Sequence, residues 1–150
     1  MGNEHVLTVP GRYEQIKRIV QFVSDGAGMA GLDENAIFHV ELCCDEACTN
    51  VIEHAYGGED QGMIRISYQQ QGTQFRITIQ DNGRPFNPDL IPAPPLLPQT
   101  ESSPDEFVQK LKIGGLGIHF MRQLMDEVHF SFDPVGGNTL LLVKQIPGEA

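Results

Sequence analysis

The stretch Ile37 to Gly58, IFHVELCCDEACTNVIEHAYGG, limits what this chain can fold into more than any other. Apolar or small residues fall at Ile37, Val40, Cys44, Ala47, Cys48, Val51 and Ala55. That three-and-four spacing predicts a long helix with one buried face. Glu46, Asn50 and His54 recur at every fourth position, so they climb a neighbouring stripe of the same helix. A carboxylate and a carboxamide one turn apart, at the edge of a buried face, suit the wall of an active site. A solvated helix edge would carry the same residues, and only the rest of the chain separates the two readings.

Asp33 is placed to cap this helix and Gly57-Gly58 to stop it. Ahead of it, His5 to Val9 predicts a first strand ending at Pro10-Gly11. Gly11 to Ala27 predicts a helix, with Tyr13, Ile16, Ile19, Val20 and Val23 at helical spacing and glycines at 26, 28 and 31 ending it. After it, Met63 to Gln70 and Phe75 to Asp81 alternate apolar with polar residues and join around Gly72-Thr73. They predict a hairpin with one buried and one wet face, covered by helices on one side. Gly115 to Met125 predicts a third helix. Val128 to Phe132 and Thr139 to Ile146 predict two more strands about a turn at Pro134 to Gly137.

Between these blocks, Asn82 to Ile113 is proline-rich and irregular, apart from a short helical stretch at Asp105 to Lys110. An irregular segment this long inside a compact domain is usually functional, often a lid. A linker between two domains is disfavoured, because the flanking segments are too short to fold separately. Helices and strands mix without regular βαβ alternation, which predicts one α+β two-layer sandwich over residues 1–150.

Composition narrows the chemistry. Twenty acidic against 10 basic residues give a formal charge of -10. Such a surface repels a phosphate backbone, so nucleic acid is not an expected partner. A phosphate-bearing ligand would need local neutralisation, by backbone N–H groups, a metal ion or a few chosen cations. No window approaches the ~20 apolar residues of a membrane span. The first residues lack the pattern of a signal peptide, and Val6 breaks the myristoylation pattern after Gly2, so the expected location is the cytoplasm. Cys43, Cys44 and Cys48 are odd in number and crowded into the central helix, which predicts buried thiols rather than disulfides. A zinc site built from them with His54 is disfavoured, because the helix splays Cys43 away from the other two.

Two further motifs carry chemistry. Asp81-Asn82-Gly83 ends a strand with a carboxylate that can accept from an exocyclic amine, beside a glycine that makes room for a flat ring. Asn-Gly is equally a common turn. Gly114-Gly115-Leu116-Gly117 opens the third helix, where free N–H groups and the helix dipole favour an anion. Helix capping and tight packing explain other glycine runs of this kind, and the spacing is not that of a Walker A loop. Thr139 could orient Asp81 or a water through its hydroxyl. Lys110 and Lys112 could reach a phosphate or lie solvated.

Taken together and in this order, Glu46-x3-Asn50-x3-His54-Ala55, Asp81-Asn82-Gly83-Arg84-Pro85-Phe86 and Gly114-Gly115-Leu116-Gly117-Ile118 resemble the N, G1 and G2 boxes of the GHKL ATPase superfamily. That superfamily includes gyrase, MutL and the histidine kinases. The short chain, the early strand and helix, and the sequence EACTNVIEHAY resemble its anti-sigma factor serine/threonine kinases, of the RsbW and SpoIIAB type. The resemblance implies the Bergerat ATP-binding fold, a mostly antiparallel mixed sheet under helices, with an ATP lid at about 84–113. It implies ATP and Mg²⁺ as cofactors, Asn50 as the magnesium ligand and Glu46 as the general base. It implies that Asp81 binds the adenine amino group, with Thr139 in support and Gly83 giving room. Gly115, Leu116 and Gly117 would present the phosphate-binding turn. The implied partners are an anti-sigma-factor antagonist of the STAS type, phosphorylated on a hydroxyl, and a sigma factor or equivalent regulator held in the other state, with a homodimer possible. The alternatives are a non-catalytic ATP-dependent binding module and a histidine-kinase catalytic domain.

Overall fold

The computed structural model describes residues 3–85 and 116–147. Five strands, β1 (His5–Pro10), β2 (Met63–Gln71), β3 (Gln74–Asp81), β4 (Glu127–Asp133) and β5 (Gly137–Gln145), form one sheet in the order β1-β2-β3-β5-β4. Every pairing in it is antiparallel, so the sheet is more uniform than the mixed one expected. Among the described residues, the helices α1 (Ile16–Ala30), α2 (Glu34–Asn50) and α3 (Leu116–Leu124) provide the second layer of an α+β sandwich.

The alternation read from the sequence sets the register. Ile64, Ile66, Phe75, Ile77, Ile79, Leu140 and Leu142 are buried on the helix side, against Ile19, Val23, Val40, Ala47 and Ile52. Their cross-strand partners fall in step: Ile66 faces Ile79, and Ile77 faces Leu142. Burying such side chains at roughly 25 cal/mol per Å² is the main gain on folding. The opposite face carries Arg65, Ser67, Arg76, Thr78, Thr139 and Ser131, with Leu141 and Val143 among them.

Asp33 caps α2 as expected, accepting from the Ala36 N–H at 2.8 Å through Oδ1. A cap of this type is worth about 1 kcal/mol. The central segment is not one uniform helix, however. After Asn50 it widens into a π turn, Val51–Ala55, closed by the Tyr56 N–H on the Val51 carbonyl. The extra residue in that turn breaks the every-fourth stripe: His54 is exposed, whereas Val51 and Ala55 stay buried. The three cysteines pack into the core as free thiols. Burial pushes Cys43 up to about 12 and raises Cys44 and Cys48 still further, so all three stay protonated at neutral pH.

Helix α1 passes through Gly26 and Gly28 and ends only at Gly31, which takes the left-handed conformation at φ 98°. Gly26 serves packing instead. A Cβ there would lie 2.3 Å from the ring of Tyr68. Tyr68 cannot retreat, because His5 stacks on it at 4.8 Å and Phe22 and Phe75 lie 4.9 and 5.5 Å away. At the far end of β5, the Lys144 ammonium donates to the carbonyl of Leu124, the last residue of α3, and to His39 Nδ1 at 3.2 Å. It thereby closes the C-terminal end of α3 onto the sheet and α2.

Gly26→Ala is expected to cost about 2 kcal/mol by overpacking, read as a lower urea midpoint, with most of the loss recovered when Tyr68→Leu removes the ring. His39 gives a second expectation. Burial, then the nearby Lys144, lowers its pKa. The unfolded chain therefore takes up a proton first, and stability should be complete above the model-peptide value of about 6.5 and fall as pH drops through it. Thermal melts from pH 8 to 5 check this, and His39→Gln should flatten the slope.

Candidate functional site

The site forms where the C-terminal end of α2 meets the ends of β3 and β5. Asn50, Ala55, Ile79, Asp81, Asn138 and Met121 border one cleft, drawn from the central helix, its π turn, two adjacent strands and α3. The first two of the three sequence boxes therefore converge. For the third, Leu116 and Gly117 begin α3, which packs against α2, while Gly115 lies outside the described residues. Most of the expected lid, residues 86–115, including Lys110, Lys112 and the helical stretch at 105–110, also lies outside them.

Asp81 is the electrostatic centre. It closes β3 and is only 5% exposed. Its Oδ1 accepts from the Gly83 N–H at 2.8 Å and from Asn138 Nδ2 at 2.9 Å. Burial pushes the carboxyl above its ordinary value, and the two hydrogen bonds pull it part of the way back. Both bonds fall on Oδ1, which leaves Oδ2 for another donor. Beside it, Ile79, Met121 and Leu140 offer apolar walls. A pinned acceptor between apolar walls fits a flat heterocycle with an exocyclic amine.

The loop after Asp81 is docked on the end of the central helix. The Arg84 N–H donates to the Ala55 carbonyl at 2.8 Å, and the Arg84 guanidinium to the His54 carbonyl at 3.2 Å. Tyr56 completes the joint: its hydroxyl accepts from the Asn82 N–H at 3.0 Å and donates to the Met63 carbonyl at 2.5 Å. Gly83 is small because of protein, not only because of a ligand: a Cβ on it would lie 2.5 Å from the Ala55 carbonyl oxygen. Arg84 turns to the helix end, where a cation meets the negative pole of the dipole.

Thr139 also borders the cleft. It pairs with Gln80, and its neighbour Asn138 pairs with Asp81. Successive strand residues point to opposite faces, so the Asn138 side chain shares the face of Asp81, while Thr139 and Ser131 border both the cleft and the open face. A carboxamide one residue earlier, that of Asn138, donates to Asp81 directly. Sequence reasoning missed Asn138 because an Asn directly after Gly136-Gly137 reads as part of the turn before the strand. Glu46 and Asn50 stand one turn apart on α2, both half-buried. Asn50 offers a hard oxygen donor at the cleft, the donor type that magnesium takes, with the Glu46 carboxylate one turn earlier.

Residues 9–144 match the family model of the histidine kinase-like ATPase domain. The chain belongs to that GHKL family, in its RsbW-type branch. It is 30% identical over 146 residues to the serine-protein kinase RsbW of Listeria monocytogenes serotype 4a (strain HCC23), covering 97% of this chain and 89% of that one. It is 30% identical over 143 residues to RsbW of Bacillus subtilis (strain 168), covering 95% and 86%. Among solved structures, the RsbU and RsbW domains of Rv1364c from Mycobacterium tuberculosis align with a TM-score of 0.65 at 15% identity, over 96% of this chain and 32% of that one. The catalytic domain of histidine kinase ThkA aligns with a TM-score of 0.51 at 14% identity, over 97% and 96%. At such identities the structural likenesses speak for the fold.

Gly83→Ala should lift the 82–84 loop from the π turn. The expected result is a stability loss of about 2 kcal/mol by thermal or urea unfolding, with nucleotide affinity falling at the same time in calorimetry.

Proposed function

We propose that this GHKL family member is an ATP-dependent protein serine/threonine kinase of the anti-sigma factor type, acting in the cytoplasm as one domain with a lid at about 84–113. The observation that carries the reading is the buried Asp81 carboxylate, pinned on one oxygen, in the same cleft as Asn50. Its substrate would be a STAS-type antagonist protein, and in its other state it would sequester a sigma factor or equivalent regulator. The names of its relatives support that choice of partners.

The cleft fits an adenine nucleotide: Asp81 Oδ2 would accept from the base amine, and Ile79, Met121 and Leu140 would cover the ring. Asn50 would hold Mg²⁺ through its carboxamide oxygen. The ion, when bound, would supply positive charge against that of the phosphates. The N-terminal turn of α3, with Gly115, Leu116 and Gly117, would meet the phosphates with N–H groups. Glu46, one turn before Asn50, would take the proton of the attacking hydroxyl. That oxygen bonds to the γ-phosphorus as the bond to the β-phosphate oxygen breaks, and ADP leaves. Positioning and electrostatics supply most of such a rate gain.

Incubation of the chain with labelled ATP and a cognate antagonist tests this reading. Label on a serine or threonine of the antagonist supports it; binding controlled by nucleotide without transfer would make the chain a switchable binding module instead. Glu46→Gln should keep ATP affinity and slow transfer roughly 10²–10⁴-fold. Asn50→Ala should abolish the magnesium-dependent part of nucleotide affinity in calorimetry, and an unchanged affinity would remove the metal role.

A further inference from the structure

Asn138 makes two bonds that meet at the base site. Its Nδ2 donates to Asp81 Oδ1 at 2.9 Å and to the Arg84 carbonyl at 2.7 Å. The residue is 8% exposed, on the strand directly opposite Asp81. One amide thus holds both a buried carboxylate and the first residue of the 84–113 segment.

We propose that Asn138 is the positioning residue that sets discrimination at the base site: it presents Asp81 as an acceptor and ties that acceptor to the root of the lid segment. The inference rests on the reading that this cleft takes an adenine nucleotide. An ionised carboxylate can only accept, so it matches the 6-amino group of adenine and opposes a 6-carbonyl. A protonated carboxyl can donate, and it would then accommodate the carbonyl. Discrimination therefore requires Asp81 to be ionised and turned the right way in a place where burial favours its proton. Two donors on Oδ1 meet that requirement. One is the Gly83 backbone N–H, which no substitution removes without adding a Cβ against Ala55. The other is the Asn138 amide.

The surroundings leave the task to these donors. Among the described residues, burial and the two hydrogen bonds account for the Asp81 shift, with no charged neighbour contributing. Tyr56, packed from the π turn, has a raised pKa, pushed first by burial and also by the Asp81 charge, so it stays neutral. From its own loop, Arg84 directs its guanidinium at the His54 carbonyl. The α2 side offers Asn50, with Glu46 a turn earlier, and α3 offers Met121. Losing the Asn138 donor should raise the pKa of Asp81 further and free its rotation.

The test uses ATP and inosine triphosphate, which differ at the 6-position of the base. Affinities of the full chain are measured by calorimetry from pH 5 to 8 for wild type, Asn138→Leu and Asn138→Thr. Urea unfolding confirms that each variant is folded. Wild type should prefer ATP and lose affinity for it on acidification. Asn138→Leu should cut the ATP preference about tenfold and move the acid limb up by about one pH unit, the scale of one hydrogen bond to a charge. Asn138→Thr keeps a hydroxyl donor and should recover part of both effects; it also serves as the test should the leucine variant not fold. A role in packing alone would weaken both nucleotides equally and leave the acid limb in place, which would overturn the proposal. If wild type itself failed to prefer ATP, the adenine reading beneath it would fall as well.

Discussion

A carboxylate buried at the end of a central strand is costly, and three elements are arranged around the one at Asp81. Desolvation works against its charge, and two N–H donors on a single oxygen work for it. Those donors come from the loop that continues β3 and from the neighbouring strand β5, so the bonds also fix how that loop leaves the sheet. The loop in turn rests on the π turn after α2 through Arg84, Gly83 and Tyr56. The site is therefore a joint: the sheet end, the helix end and the buried acid are fixed by one set of contacts.

The π turn gains meaning from this joint. A regular helix through Val51–Ala55 would leave its last carbonyls pointing along the axis. The widened turn sets the His54 and Ala55 carbonyls where Arg84 can take both. It also separates Asn50, which stays on the cleft, from His54, which does not. Widened turns of this kind are rare and concentrate at functional positions. Here the turn falls directly after the residue assigned to the metal.

The architecture was legible in the sequence because period-two and period-3.6 patterns report burial, and burial decides this fold. The hairpin about Gly72, the Asp33 cap and the strands flanking residues 134–137 follow from those patterns. What escaped were effects set by neighbours distant in the chain. Gly26 reads as a helix breaker, but it is there for the ring of Tyr68. Gly83 reads as room for a ligand, but it also makes room for the Ala55 carbonyl. Thr139 and Asn138 both border the cleft, and only the pairing with Asp81 shows which of them shares the face of its carboxylate. The every-fourth stripe failed at His54 because nothing local announces a π turn.

The acidity of the chain acquires a sharper consequence once the cations are placed. Among the described residues, no Lys or Arg borders the cleft. Arg84, the nearest in sequence, is committed to the helix end, and Lys144 is held at the opposite end of β5 on Leu124 and His39. A triphosphate brought into such a site carries its charge into an already negative surround. On the kinase reading, the compensation must come from the divalent ion at Asn50, the N–H groups opening α3, and whatever the 86–115 segment brings. Affinity would then depend steeply on magnesium and on that segment. Both act on the phosphates, while Asp81 and Asn138 act on the base, so nucleotide identity and nucleotide retention would be governed by separate parts of one cleft.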